Sequence, residues 1–282
     1  MPTKPSQQRS SPFLGILFEG TTSHNGRDEI LAAFDQVEDW PKAPQVCAYY
    51  QGCGYDLITL ACRTVDTHVL SDFSSHVVDE LGRKFRRLSD SGFITGLQGD
   101  GRQWRFSLDG RRKDVHFTEE ALEHLDFSRR FGRRLGVVFE WNCGDSASKE
   151  SFWRALSRQM VAGGHVIGSY SPGFHWADRS AFVLNTSGKK PMLQGHNGFD
   201  DVASDERMAV LARATELGLV PNTPPGKQVL EVGSHAYMLD WAGGNHTAVT
   251  RVWRQAVETF DLQLIAAGNR ICWLTRCPRA TK

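Results

Sequence analysis

Short apolar runs, either continuous or alternating with polar residues, divide the chain into strands and amphipathic helices. In the first part of the chain the pattern predicts strands at 13–19, 45–51 and 56–63, helices at 26–38 and 72–88, and strands at GFITGL and RQWRFSL. In the second part it predicts strands at 135–141, 165–171 and 180–185 and at QVLEV, helices at 147–161, 204–217 and 246–260, and a hairpin from LQLIA to ICWLT. These elements indicate a folded protein with both helices and sheets.

A repeated hexapeptide suggests how these elements are organised. LGILFE at 14–19 returns as LGVVFE at 135–140, and the order of elements around the two copies is the same. Both halves follow the order β-α-β-β-α-β, which is typical of the ferredoxin-like motif. The sequence therefore predicts an α+β protein of two tandem related ferredoxin-like units, with mixed or antiparallel sheets covered by helices. A single mixed domain whose halves are alike by chance is the alternative.

The expected boundaries follow from this repeat. They are a disordered tail at 1–12, a first α+β unit at 13–130, and a second α+β unit at 131–282 that ends in an added helix and hairpin.

Composition and charge exclude some classes of function. The chain is 40% apolar and 23% charged, as in ordinary globular proteins. Its 33 basic residues are balanced by 32 acidic ones, so no overall field draws it to nucleic acid or to an anionic membrane. The first apolar stretch, FLGILF, is too short for a signal-peptide core or a membrane span, so a cytoplasmic location and no membrane partner are expected. The six cysteines form no CxxC pair, and neither a metal site nor a cofactor is expected.

Two motifs suggest chemistry that their surroundings do not favour. HNGRDE at 24–29 and HNGFDD at 196–201 share most of their letters, but the first is placed to cap a helix and the second to form a turn. VLEVGSHAY at 229–237 resembles the first motif of Rossmann-type methyltransferases, which implies a nucleotide-like cofactor at that turn. Because His235 and Tyr237 stand where that family has glycines, and only 45 residues follow, a core strand that leads into a loop is the favoured interpretation.

The two repeated strands end in acids, Glu19 in FEG and Glu140 in FEW. Acids at strand ends are common general bases, so these are the candidate catalytic residues. The structural interpretation is that each acid accepts a hydrogen bond or an ion pair where its strand leaves the sheet.

Two turns rich in glycine and aromatic residues are the preferred candidates for a binding surface. They read YYQGCGYD at 49–56 and YSPGFHWAD at 170–178. Aromatic side chains on such turns are typical of contact hot spots, whereas the structural alternative folds them back onto the sheet. The predicted partner-binding residues are Tyr49, Tyr50, Tyr55, Trp141, Phe174, His175, Trp176 and Asp178.

Basic residues are concentrated between positions 83 and 134, in RKFRR, RRK and RRFGRR. Such runs can contact a nucleic-acid backbone, although a solvated face is their commoner meaning. The candidate nucleic-acid residues of this alternative are Arg83, Lys84, Arg86, Arg87, Arg111 and Arg112.

No motif in the chain names a reaction, so the favoured function is a non-enzymatic one. The sequence favours a cytoplasmic protein-binding protein, for which a bacterial toxin-neutralising protein of the immunity or inhibitor type is one class. Its partner would be another protein, such as a cognate toxin or effector, and opposite local charges in the two halves are compatible with a homodimer. The first alternative is an RNA- or DNA-binding or processing protein, and the second is a hydrolase that uses the strand-end carboxylates.

Overall fold

The computed structural model describes residues 12–19, 46–140 and 150–169, the strands that follow them, and positions 208, 209, 212, 216 and 259. The α-helices are α1 (Pro12–Leu17), α2 (Val77–Asp90), α3 (Phe127–Phe131) and α4 (Glu150–Gln159). Short 3-10 helices span Ile58–Ala61 and Leu122–His124. The strands are β1 (Val46–Gln51), β2 (Thr67–Ser71), β3 (Ile94–Gln98), β4 (Gln103–Leu108), β5 (Arg111–Thr118), β6 (Arg134–Glu140), β7 (Met160–Ser169), β8 (Phe182–Asn185), β9 (Met192–Gln194), β10 (Gly226–Val232), β11 (His235–Trp241), β12 (His246–Val252), β13 (Phe260–Leu264) and β14 (Ile271–Arg276).

Nine strands form one sheet, in the order β13-β14-β7-β6-β1-β2-β5-β4-β3. The five central strands, β7, β6, β1, β2 and β5, run parallel to one another. An antiparallel hairpin of β13 and β14 extends the β7 side, and a second hairpin of β3 and β4 extends the β5 side. The other strands form a separate antiparallel sheet in the order β10-β11-β12-β8-β9.

The prediction of two tandem ferredoxin-like units is wrong. Strands β1 and β6, which were expected in different units, lie side by side and parallel in one sheet. Helices cover both faces of that sheet, with α1 and α2 on one face and α3 and α4 on the other. Parallel central strands with helices on both faces form a doubly wound α/β sheet.

The two copies of the hexapeptide also adopt different structures. LGVVFE is strand β6, whereas the letters LGIL lie in helix α1. The periodicity of a short apolar run cannot distinguish a strand from a buried helix. The similarity of the two hexapeptides therefore does not indicate a structural repeat.

Alternating residues of β1 pack into two separate cores. Ala48 and Tyr50 contribute to the core under α1 and α2, and Cys47 and Tyr49 contribute to the core under α3 and α4. Every residue of β1 is therefore buried, and its sequence, VCAYYQ, shows no alternation with polar residues. This is the pattern of a central strand in a doubly wound sheet.

Several predicted elements are confirmed with shifted ends, among them β1, β6, helices α2 and α4, and the hairpin of β13 and β14. Two further predictions are wrong, since 56–63 contains a 3-10 helix and 246–260 contains strand β12. The predicted helix at 26–38 and both HNG motifs lie outside the described residues. Within the described part of the chain, no helix is long and apolar enough to cross a membrane.

Candidate functional site

Five residues in register mark the carboxyl edge of the parallel strands. From β5 to β7 they are Thr118, Ser71, Gln51, Glu140 and Gly168, here called the edge row. The strand order reverses at β1, because β2 lies on one side of it and β6 on the other. In doubly wound sheets, ligands bind outside the carboxyl ends of the strands at such a reversal. The candidate site therefore lies where β1, β2 and β6 end.

Strand β1 ends in a glycine turn, Gly52-Cys53-Gly54. The two glycines have φ of 66° and 51°, a left-handed conformation that residues with a side chain seldom adopt. A backbone without Cβ atoms also lets a ligand approach closely. The amide of Cys53 donates a 2.9 Å hydrogen bond to the carbonyl of Ser71, which holds this turn against the end of β2.

Asp72 directly follows β2 and lies about twenty residues after the glycine turn. Its Oδ2 accepts a 2.9 Å hydrogen bond from the amide of Gly54, and its Oδ1 accepts one of 3.0 Å from the amide of Ser74. A carboxylate offers about four acceptor positions, so both oxygens retain capacity for a ligand. In nucleotide-binding α/β folds, an acid at this place accepts hydrogen bonds from ribose hydroxyls.

The loop after β5 is fixed by side chains of the edge row. Ser71 Oγ donates to the carbonyl of Glu120 at 2.9 Å, and the Glu120 amide donates to Thr118 Oγ1 at 3.1 Å. The Leu122 amide donates to Gln51 Oε1 at 3.3 Å. Three side chains of the edge row are thus occupied in holding this loop beside the glycine turn.

Glu140 is the acid of the edge row, and it is only 1% exposed. Among the described residues, neither of its carboxyl oxygens has a hydrogen-bond partner. Burial raises the pKa of this carboxyl well above its usual value, because the charged form loses its hydration. Glu19, the other acid predicted to end a strand, instead follows helix α1; it is about half exposed and forms an ion pair with Arg87 of α2.

The predicted aromatic binding surface is not formed by its first turn. Tyr49 and Tyr50 are fully buried in β1, where they pack against Phe127 and Phe139 respectively. Tyr55 alone of the three tyrosines is exposed. The other predicted partner-binding residues lie outside the described residues: Trp141, Phe174, His175, Trp176 and Asp178.

Most basic residues of the nucleic-acid alternative face an acid. The ion pairs are Arg83 with Glu80, Arg87 with Glu19, Arg111 with Asp66, and Arg112 with Asp114. Lys84 is buried and donates to the carbonyl of Tyr55. Arg86 is exposed. Four of the six candidate residues are thus paired with an acid, which reduces the positive charge available to a nucleic-acid backbone.

Comparison with known proteins gives similarity at the level of structure. No protein-family model matches the chain, and no curated protein matches it in sequence. A solved S-adenosylmethionine-dependent methyltransferase from Clostridium acetobutylicum is similar with a TM-score of 0.40 and 9% identity, over 89% of each chain. An amino pentose methyltransferase from Micromonospora echinaspora has a TM-score of 0.37 and 13% identity, over 88% of this chain and 90% of that one. An rRNA methylase from Streptococcus thermophilus has a TM-score of 0.34 and 9% identity, over 86% of this chain and 92% of that one.

The fold corrects the predicted function. The predicted binding protein consists of two ferredoxin-like units, whereas the central sheet is doubly wound. Two of the three tyrosines that are predicted to contact a cognate toxin or effector, Tyr49 and Tyr50, lie in the core. The predictions of an immunity or inhibitor protein and of a toxin partner are therefore wrong.

Sequence reasoning missed Gly52, Gly54 and Asp72. Their signal was present as YYQGCG followed by HVLSD: one apolar strand that ends in Gly-x-Gly and a second that ends in an acid. The resemblance to a methyltransferase motif lies instead at 229–237, which include the end of β10 and the start of β11, two antiparallel strands of the separate sheet. The predicted strand is confirmed as β10, but His235 and Tyr237 lie in β11 and not in a loop.

Proposed function

We propose that the protein binds S-adenosylmethionine where β1 and β2 end and transfers the methyl group of this cofactor to an acceptor. The observation that carries the proposal is the hydrogen bond from the Gly54 amide to Asp72 Oδ2 at the reversal of strand order. It brings together the two features that adenosine requires in an α/β fold, a backbone open to close approach and an acid for the ribose hydroxyls.

The residues around the turn fit a nucleoside better than a dinucleotide. A pyrophosphate group is stabilised by the N-terminus of a long helix after the glycine turn. Here the turn is followed by the four-residue 3-10 helix Ile58–Ala61. The charges of Asp72 and Asp56 both act on the buried thiol of Cys53 and help to raise its pKa, after burial itself. The cation of Lys84 acts on this thiol in the opposite direction, so these groups leave the turn with one more acid than base. This charge opposes a pyrophosphate and favours a ligand with a positive charge.

S-adenosylmethionine meets these conditions because it joins adenosine to a positively charged sulfonium that carries a reactive methyl group. Asp72 would hold its ribose, and the backbone of Gly52 and Gly54 would line its path across the end of β1. The raised thiol pKa of Cys53 argues against a covalent role for that residue, since the thiolate is the reactive form. A cytoplasmic location stays a prediction.

Isothermal titration calorimetry of the purified protein tests the proposal. We expect saturable binding of S-adenosylmethionine and of its product S-adenosylhomocysteine, and no binding of NAD at the same concentrations. Binding of NAD without either methionine derivative would overturn the proposal, because it would mean that the site accepts a pyrophosphate.

A further inference from the structure

Glu140 is a buried acid whose place in the sheet calls for an explanation. The side chains of Thr118, Ser71 and Gln51, its fellows in the edge row, all bond to the loop after β5. Glu140 makes no hydrogen bond within the described part of the chain. A buried polar group without a partner is costly, so such groups are rare and mark strained or functional positions.

The register places Glu140 beside the glycine turn. Gln51 is its cross-strand neighbour on β1, and Gly52 follows Gln51 directly. Adjacent strands lie about 4.8 Å apart, so the backbone of Glu140 lies one strand spacing from Gln51, the residue before the turn. Asp72 lies across β1, at the end of β2. A ligand whose ribose lies on Asp72 and which extends over Gly52 therefore approaches Glu140 with its other end.

We infer that Glu140 is the counter-ion of the sulfonium: its carboxyl holds a proton in the ligand-free protein and releases that proton as S-adenosylmethionine binds. This inference rests on the function proposed above. It explains why an acid lies at a buried position where the described residues offer its carboxyl no hydrogen bond. The missing partner is the positive charge of the cofactor, which favours the carboxylate over the neutral acid.

The charges of the surrounding elements do not supply that partner. Titratable or charged groups on the elements packed against β6 are Cys47, Tyr49 and Tyr50 of β1, His165 of β7, Arg129 and Arg130 of α3, and Glu150, Arg154 and Arg158 of α4. Within the described part of the chain, burial is the only cause of the raised pKa of Glu140. A sulfonium that binds beside the carboxyl would lower this pKa and expel the proton.

The neutral product provides an internal control. S-adenosylhomocysteine has the same adenosine and amino-acid groups, so any protonation change of those groups is common to both ligands. Only S-adenosylmethionine has the sulfonium charge. The difference in proton release between the two ligands therefore reports the response of Glu140 to that charge.

The test is calorimetry of both ligands at pH 7 in two buffers of different ionisation enthalpy, which gives the number of protons released on binding. For the unmodified protein we expect S-adenosylmethionine to release up to about one proton more than S-adenosylhomocysteine. The affinity of the protein for S-adenosylmethionine should also rise by up to about tenfold between pH 6.5 and pH 7.5, because proton release is linked to binding. The affinity for S-adenosylhomocysteine should change much less.

Two variants complete the test. Glu140→Gln keeps the size of the side chain and should abolish the difference between the ligands, while its binding of S-adenosylhomocysteine reports that the site is folded. Glu19→Gln removes the exposed acid that follows α1 and should leave the difference intact. Equal proton release by both ligands, or the same difference in Glu140→Gln, would overturn the inference while the proposed function stands. Failure of the unmodified protein to bind either ligand would overturn both.

Discussion

The backbone amide of Gly54 donates a 2.9 Å hydrogen bond to Oδ2 of Asp72. One end of this bond lies in the turn after β1 and the other in the first residue after β2, so the two central strands are joined at the edge where ligands of such sheets bind. Asp72 also accepts from Ser74, and its orientation is fixed before a ligand arrives. Preorganisation of this kind lowers the entropic cost of binding.

Replacement of Asp72 by asparagine should weaken the binding of S-adenosylhomocysteine about 10- to 100-fold. A hydrogen bond to a charged group contributes roughly 1.5–3 kcal/mol, which corresponds to that range of affinity. Asp79→Asn, at an exposed position of α2, is the matched control and should bind as the unmodified protein does. Calorimetric titration checks both. Equal affinity in Asp72→Asn would mean that Asp72 does not hold the ribose.

Alanine at Gly54 should lower the free energy of unfolding by about 1–2 kcal/mol, because the position has a φ of 51° and Ala is strained there. Gly82→Ala should instead raise it by about 0.5–1 kcal/mol, since Gly82 lies within α2, and the nearest atom to an added Cβ would be Arg86 Nη1 at 4.0 Å. Urea unfolding measures both. A loss of stability in Gly82→Ala as large as that in Gly54→Ala would contradict the assignment of the glycine turn.

His68 should make the protein sensitive to acid. Its ring is buried, its Nε2 lies 3.0 Å from the carbonyl oxygen of Val65, and burial lowers its pKa to about 3. Below pH 6.5, His68 binds a proton in the unfolded chain, whereas it stays neutral in the folded protein. Stability from this group is therefore present above pH 6.5 and lost as the pH falls, at about 1.4 kcal/mol per pH unit.

Unfolding in urea at pH 7.5 and pH 5.0 measures this effect. Over that interval, the free energy of unfolding of the unmodified protein should fall by about 2 kcal/mol more than that of His68→Gln. The same substitution at exposed His76 is the control. If His68→Gln and the unmodified protein lost stability equally, the buried neutral histidine would not be the cause.

Lys113 should be far more important for stability than its basic neighbour Arg112. Its Nζ is buried and donates to the carbonyls of Arg63 at 2.7 Å and Val65 at 2.6 Å, and to Asp66 Oδ1 at 3.2 Å. Lys113→Met should lower the free energy of unfolding by about 3 kcal/mol, because these acceptors lose a charged donor. Arg112→Met, at an exposed pair, should change stability by no more than about 0.5 kcal/mol. Similar losses in the two variants would contradict this.

The sequence predicted the elements better than their arrangement. Of the apolar stripe predicted for the helix at 72–88, Val77, Leu81, Phe85 and Leu88 are buried as expected, because helical spacing is a local property. Phe73, the first residue of that predicted stripe, precedes the helix and is exposed. The pairing of β1 with β6 is not local, since the two strands are more than eighty residues apart along the chain. Nothing in LGILFE and LGVVFE distinguishes a true repeat from two buried apolar runs.

The candidate site was predicted only in part for a related reason. Glu140 was found because an acid at the end of an apolar strand is visible in the sequence. Tyr49 and Tyr50 were misinterpreted because aromatic residues before a glycine turn fit an exposed hairpin as well as a strand buried on both faces. The role of Asp72 becomes apparent only from the parallel pairing of β1 with β2, because this pairing places Asp72 beside the glycine turn.

The structure of the protein in complex with S-adenosylhomocysteine tests the central claim most directly. We expect the ribose hydroxyls at hydrogen-bond distance from the carboxylate of Asp72, with the ligand crossing the backbone of Gly52 and Gly54. A ligand bound elsewhere in the molecule, with Asp72 free of contacts to it, would contradict the account.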